Sequence, residues 1–255
     1  MKVEWECILD CNYKCKYCVN SRNSALPEPI PFEKDKQKVF EFLDSLKEKY
    51  KDDELFVFGG EPFLHPFIDE IIEHLNKIEM KFIIQTNFSI YSNIKKCIEK
   101  NLEFKVQVSI HPGEIRNPDI YIEELSKLQN IIRRIDIMYI GEESTIFYKK
   151  LLKVIKDKSI IFLAPVADFL IKDVVNNQLF RFNELKQGIH GKVFQFEPGE
   201  RSFIWESQQR GITSMKFQPC IYKDSYILFD PMLRSYNCSY RQNNDICPND
   251  HCFLM

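Results

Sequence analysis

Apolar residues in the first two thirds of the chain alternate between short continuous runs and helical faces, and the alternation predicts one strand–helix unit repeated six times. Residues 3–9 (Val-Glu-Trp-Glu-Cys-Ile-Leu) read as a strand, and a cysteine-rich loop follows at once. From Pro31 to Tyr50, Val39, Phe42, Leu43 and Leu46 fall at helical spacing with Lys and Glu between them, so the segment reads as an amphipathic helix. Further strands are predicted at 55–58, 82–84, 106–110, 135–140 and 160–163. The helices between them carry Ile68, Ile71, Ile72 and Leu75, then Ile94 to Ile98, then Ile122, Leu125 and Leu128, then Leu151, Leu152 and Ile155. Crossover helices between successive strands imply a parallel sheet whose outer face they cover. The expected fold class is therefore α/β, a partial (β/α)6 TIM-type barrel with a small cysteine-rich carboxyl-terminal appendage.

The rhythm stops near residue 164, and the stretch to Pro219 mixes Phe169, Phe180, Phe182, Phe194, Phe196, Phe203 and Trp205 with polar residues. Three segments follow: a barrel core at 1–166, an aromatic-rich substrate or linker region at 167–219 and a cysteine-rich region at 220–255. In barrels of this kind the chemistry sits at the carboxyl ends of the strands, where the strand-to-helix loops converge.

Composition narrows the function classes. Hydrophobic residues make up 44% and charged residues 28%, as in a globular protein. With 35 basic and 37 acidic residues the net charge is −2, so no global positive field holds a phosphate backbone and a nucleic-acid substrate is disfavoured. No apolar run reaches membrane-spanning length and the first residues are charged, so a cytoplasmic location without membrane attachment is expected. Under reducing conditions the nine cysteines suggest metal rather than disulfides, and eight of them fall at Cys7 to Cys18 and Cys220 to Cys252.

The loop after the first strand contains Cys11, Cys15 and Cys18, a C-x3-C-x2-C run with Tyr17 just before the last thiol. Three thiolates so close can ligate three irons of a four-iron cluster and leave the fourth iron without a protein ligand. Buried core thiols or a zinc knuckle completed by Cys7 are the competing readings. The second strand ends in Gly59-Gly60-Glu61-Pro62, where paired glycines permit close backbone approach to a ligand and the segment offers carbonyl acceptors and a carboxylate. The third strand ends at Thr86-Asn87, the fourth at Ser109-Ile110-His111 and the sixth at Ala164-Pro165. Turn chemistry alone would also account for Thr86 and Ser109.

In these motifs the sequence resembles the radical S-adenosylmethionine (SAM) enzymes, over roughly residues 3–166. The resemblance implies that Cys11, Cys15 and Cys18 ligate a 4Fe–4S cluster whose open iron is chelated by SAM. An electron from the cluster then cleaves SAM to methionine and a 5′-deoxyadenosyl radical. It also implies that Tyr17 packs near the adenine, that Gly59, Gly60, Glu61 and Pro62 bind the amino group of SAM, and that Thr86, Asn87, Ser109 and Pro165 complete its pocket. His111 departs from the aspartate common in relatives. The electron must come from a flavodoxin-like or ferredoxin-like donor.

Cys220, Cys238, Cys247 and Cys252 are separated by 17, 8 and 4 residues, a set that suits a second 4Fe–4S cluster or a structural zinc. The strand-like 225–229, Asp230-Pro231 and Cys238 are similar to the twitch appendages of some radical SAM enzymes, although the longer seven-cysteine SPASM pattern is not met. Cys7 and Cys97 read as core packing. The expected activity is hydrogen abstraction from a peptide or protein side chain. The alternatives are a small metabolite such as a sugar or nucleotide derivative, or a non-catalytic metal-binding or electron-transfer protein. No peptide-recognition segment is evident before Val3, which counts against a peptide unless a separate partner protein delivers it.

Overall fold

The structure, a computed structural model, describes residues 1–15, 17–18, 31–165 and 226–236. Six parallel strands alternate with five helices among these residues. Strands β1 (Lys2–Ile8), β2 (Leu55–Gly59), β3 (Phe82–Thr86), β4 (Val106–Ile110), β5 (Ile132–Tyr139) and β6 (Ile161–Pro165) are joined by helical crossovers. The helices are α1 (Lys36–Lys49), α2 (Ile68–Lys77), α3 (Tyr91–Glu99), α4 (Pro118–Lys127) and α5 (Glu142–Val154). The neighbour order from β6 back to β1 is sequential, as right-handed crossovers between adjacent strands produce, and the sheet does not close on itself. It is the partial barrel that the alternation predicts.

The period-2 pattern explains which face each strand gives to the helices. Val3, Trp5 and Cys7 of β1, Leu55 and Val57 of β2, Val106, Val108 and Ile110 of β4, and Ile135 and Ile137 of β5 are all buried. Against them pack Val39, Leu43 and Leu46 of α1, Ile71, Ile72 and Leu75 of α2, and Ile94 and Cys97 of α3. Cys7 and Cys97 are thus core residues, as expected of thiols outside the clusters. The first helix starts at Lys36 rather than near Pro31, because the Asp35 side chain accepts from the backbone N–H of Gln37 and Lys38 and caps it there.

Two further strands extend the sheet beyond β1. Strand β7 (Tyr226–Phe229) pairs in parallel with β1, Val3 opposite Ile227 and Trp5 opposite Phe229, and β8 (Ser235–Tyr236) returns antiparallel to it. Asp230 holds the turn between them. Its carboxylate accepts from the N–H groups of Met232 (2.9 Å) and Arg234 (3.0 Å), from Arg234 Nε (2.7 Å) and from the Tyr236 hydroxyl (3.2 Å). Cys220, Cys238, Cys247 and Cys252, and the aromatic stretch 167–219, lie outside the described residues. No helix among the described residues is long and apolar enough to cross a membrane.

Candidate active site

Parallel strands send all their carboxyl ends to one side, and four of the resulting loops meet there. The cysteine loop leaves β1 and is held by the end of β2: the Gly60 N–H donates to the Ile8 carbonyl (2.7 Å) and the Glu61 N–H to that of Asp10 (2.8 Å). This apposition is why both positions are glycine. A Cβ on Gly60 would lie 2.1 Å from the Asp10 carbonyl oxygen, and one on Gly59, whose φ is +144°, 2.0 Å from that of Ile8. The backbone that the two glycines approach is the chain's own cysteine loop.

Glu61 ties three strand ends together. It is fully buried, and its Oε1 accepts from the Phe63 N–H (3.0 Å) and the Thr86 hydroxyl (2.8 Å) while Oε2 accepts from the Asn87 N–H (2.7 Å). Burial pushes its carboxyl up to about 7, although the three donors pull the other way. Pro62 opens a short 3-10 turn, Pro62–Leu64, whose first free N–H is the one Glu61 caps. Thr86 and Asn87 therefore meet Glu61, and Asn87 in turn reaches the cysteine loop. Its Nδ2 donates to Asn12 Oδ1 at 3.0 Å and approaches Cys11 Sγ at 3.7 Å, and Ser89 closes the ring by accepting from Asn12 Nδ2 at 2.7 Å. Beneath them the Tyr121 hydroxyl donates to the Asn87 carbonyl at 2.8 Å.

The thiols sit on the other side of this anchor. Cys18 donates its N–H to the Cys15 carbonyl (3.0 Å), which folds the run into a turn, and the Tyr13 N–H donates to Cys11 Sγ (3.4 Å). Burial pushes the Cys15 thiol up to about 12, and the neighbouring charges acting on it, Glu114, Cys18 and Cys11, are all negative. Cys11 is raised as well, first by burial. Burial and neighbouring negative groups hold the Cys11 and Cys15 thiols against ionisation, and a cationic group beside them would favour their thiolates. Among the described residues no three Cys, His, Asp or Glu side chains converge on a single metal ion. A set spread along one loop fits a multi-iron cluster, in which each thiolate takes a different iron, better than a zinc knuckle.

His111, just after β4, faces this loop. Its Nδ1 lies 3.0 Å from the Tyr17 hydroxyl and 3.4 Å from Cys15 Sγ, and its ring stacks on Tyr17 at 5.8 Å and 14°. Burial lowers its pKa to about 4. Glu114 accepts from the Lys14 N–H at 3.1 Å. Ser109 is buried at the end of β4 opposite Asp136, and Pro165 pairs in register with Tyr139 at the end of β6, so both lie at the same sheet end as the other candidates. On the same face of the sheet as Ser109 stands a group that sequence reasoning missed: Arg134 Nε donates to Asp136 (2.9 Å), Gln107 Nε2 does the same (2.8 Å), and the guanidinium lies 4.4 Å over Phe162. Register places Gln107 beside Arg134, but the sequence pattern alone does not reveal which strands are neighbours.

The family model described as the Radical SAM superfamily matches residues 5–159, more than half of the chain. The chain belongs to that superfamily and is an enzyme; membership implies a 4Fe–4S cluster and SAM as its cofactors. No curated protein matches the sequence. Among solved structures, SuiB of Streptococcus suis bound to S-adenosylmethionine is similar with a TM-score of 0.61 at 14% identity, over 93% of this chain and 60% of that one. SuiB bound to the precursor peptide SuiA gives 0.59 at 12% identity, over 98% and 62%. Histidine-tagged anSMEcpe with bound AdoMet gives 0.53 at 18%, over 100% and 77%. At such identities the likeness is one of fold, and the chain spans about three fifths of the length of SuiB.

Proposed function

We propose that this enzyme cleaves SAM reductively and abstracts hydrogen from a peptide or protein side chain. Cys11, Cys15 and Cys18 would hold the cluster, and Gly59 to Pro62, Thr86, Asn87, Ser109 and Pro165 the SAM. The cluster, when bound, supplies the low-potential electron that opens the sulfonium. The chain's own part is positional. Gly60 and Glu61 fix the entry of the cysteine loop through two backbone hydrogen bonds, and the buried Glu61 carboxylate braces Thr86 and Asn87 against it. Tyr17 lies over His111, where its ring would meet the adenine. The carboxyl-terminal Cys220, Cys238, Cys247 and Cys252 would hold a second cluster in a twitch-like appendage, with zinc as the alternative, and an external flavodoxin-like or ferredoxin-like protein would deliver the electron.

The observation that carries the cluster assignment is the C-x3-C-x2-C run of Cys11, Cys15 and Cys18 on a loop that Gly60 and Glu61 anchor, in a chain of the Radical SAM superfamily. What supports a peptide substrate is the likeness to SuiB bound to a precursor peptide, which extends over 98% of this chain. The test is anaerobic reconstitution with iron and sulfide, iron and zinc counting, and assay of 5′-deoxyadenosine under dithionite, with the Cys11→Ala/Cys15→Ala/Cys18→Ala protein beside the wild type. About eight irons per chain, with 5′-deoxyadenosine lost in the triple variant, is expected; about four irons plus zinc reassigns the carboxyl-terminal site alone. No iron and no 5′-deoxyadenosine in the wild type removes the reading. Deuterium passing into 5′-deoxyadenosine from a deuterated peptide pool supports the peptide substrate, whereas transfer only from pooled sugars or nucleotides replaces it with a metabolite.

A further inference from the structure

We infer that His111 is a positioning residue for the cysteine loop, donating from Nδ1–H into a three-membered contact with Tyr17 and Cys15 that strengthens hydrogen bonding at the Cys15 sulfur. The inference rests on the proposed role of Cys15 as a cluster ligand. His111 Nδ1 lies 3.0 Å from the Tyr17 oxygen and 3.4 Å from Cys15 Sγ, and the Tyr17 hydroxyl and the Cys15 sulfur are themselves hydrogen-bonded. Each atom of the triangle thus touches the other two.

The protons can be assigned by elimination. A metal-bound cysteine is a thiolate and only accepts. If Nδ1 were the bare nitrogen of the ring, its lone pair would point at that negative sulfur from 3.4 Å, a repulsive contact. Placing the proton on Nδ1 removes the conflict: the N–H is shared between Tyr17 Oη and Cys15 Sγ, and the Tyr17 O–H is free to donate to the sulfur. The near-parallel contact of the two rings, at 14°, limits rotation of the histidine. An aspartate at position 111 would offer no such donor and would add a further negative charge beside Cys15, which already faces Glu114.

Hydrogen bonds to the sulfur of an iron–sulfur cluster favour its reduced state, which carries more negative charge. His111 would therefore ease reduction of the cluster. The experiment is a redox titration of the reconstituted protein, read by the EPR signal of the reduced cluster, on wild type, His111→Phe, Tyr17→Phe and the double variant. We expect each single variant to lower the reduced-to-oxidised ratio at fixed potential about tenfold, equal to about 59 mV for one electron, with the double variant falling short of the summed effect because the two residues act through one contact. His111→Gln, which keeps an N–H donor, should recover part of the ratio.

Full iron uptake by His111→Phe with a ratio within about twofold of wild type overturns the inference, and so do fully additive shifts. Should His111→Phe take up no iron, Tyr17→Phe carries the same comparison, and a wild-type ratio there overturns it. Failure of the wild type to take up iron, by contrast, is failure of the proposed function itself and takes the inference with it.

Discussion

Glu61 joins segments that are far apart in the sequence: its N–H holds the cysteine loop and its carboxylate holds the ends of the 3-10 turn and of β3. In Glu61→Gln one acceptor oxygen becomes an NH2 group, which faces a donor where it formerly accepted. Leaving a buried donor unmatched costs about 1–3 kcal/mol, so urea unfolding of the iron-free protein should show a loss of about 2 kcal/mol. A loss below about 0.5 kcal/mol would mean that the carboxylate is not the brace described. The importance of Glu61 was legible in Gly-Gly-Glu-Pro, but its partners were not. Thr86 and Asn87 stand 25 and 26 residues further on, and only the parallel pairing of β2 with β3 brings them to it. Asn12, Ser89 and Tyr121 were missed for the same reason, since a polar residue in a loop carries no mark of what it will bond.

Elements were easier to read than their ends. Helical spacing of apolar residues located every helix described, because burial of one face dominates the choice of conformation. Strand β5 begins at Ile132, earlier than the expected 135, because Arg133 and Arg134 interrupt the apolar run. Arg133 bonds Glu54, and Arg134 lies between Asp136 and Phe162, so each guanidinium finds a partner in the sheet. Between elements, α2 is tied to α3 by Asp69, whose Oδ2 lies 3.0 Å from Lys96 Nζ and 2.7 Å from Lys100 Nζ. Burial raises this carboxyl, but the two ammonium groups outweigh it and hold it at about 2. Since the folded carboxyl titrates below the unfolded one, near 3.8, its contribution is complete above about pH 4 and disappears as pH falls through about 2. Asp69→Asn should lower stability at about pH 7 by less than about 1 kcal/mol, given the exposed lysines. Its deficit should shrink between about pH 5 and about pH 2 in paired urea titrations; an unchanged gap across that range would deny the tie.

For the molecule as a whole, the six strands with the five helices between them and the open barrel were legible because they repeat, whereas the return of β7 to β1 was not, because one short strand carries no address. That return depends on Asp230, whose carboxylate accepts four hydrogen bonds within the β7–β8 turn. Asp230→Ala should let β7 open from β1 locally, and hydrogen exchange at the β1 amides directed at β7 should rise about tenfold while those of β4 and β5 stay unchanged. Equal rates in the two proteins would show the strand to be held by packing alone.

The pairing of Trp5 with Phe229 also has a temporal side. A ribosome adding about 5–20 residues per second needs roughly 11–45 seconds to make the chain between them. Throughout that interval β1 waits at the margin of the growing sheet, with the row of backbone amides and carbonyls that β7 will cover open to any extended segment nearby. Loops this long close slowly. The nascent chain is therefore exposed to mispairing at β1, and a chaperone that shields extended backbone would serve it there.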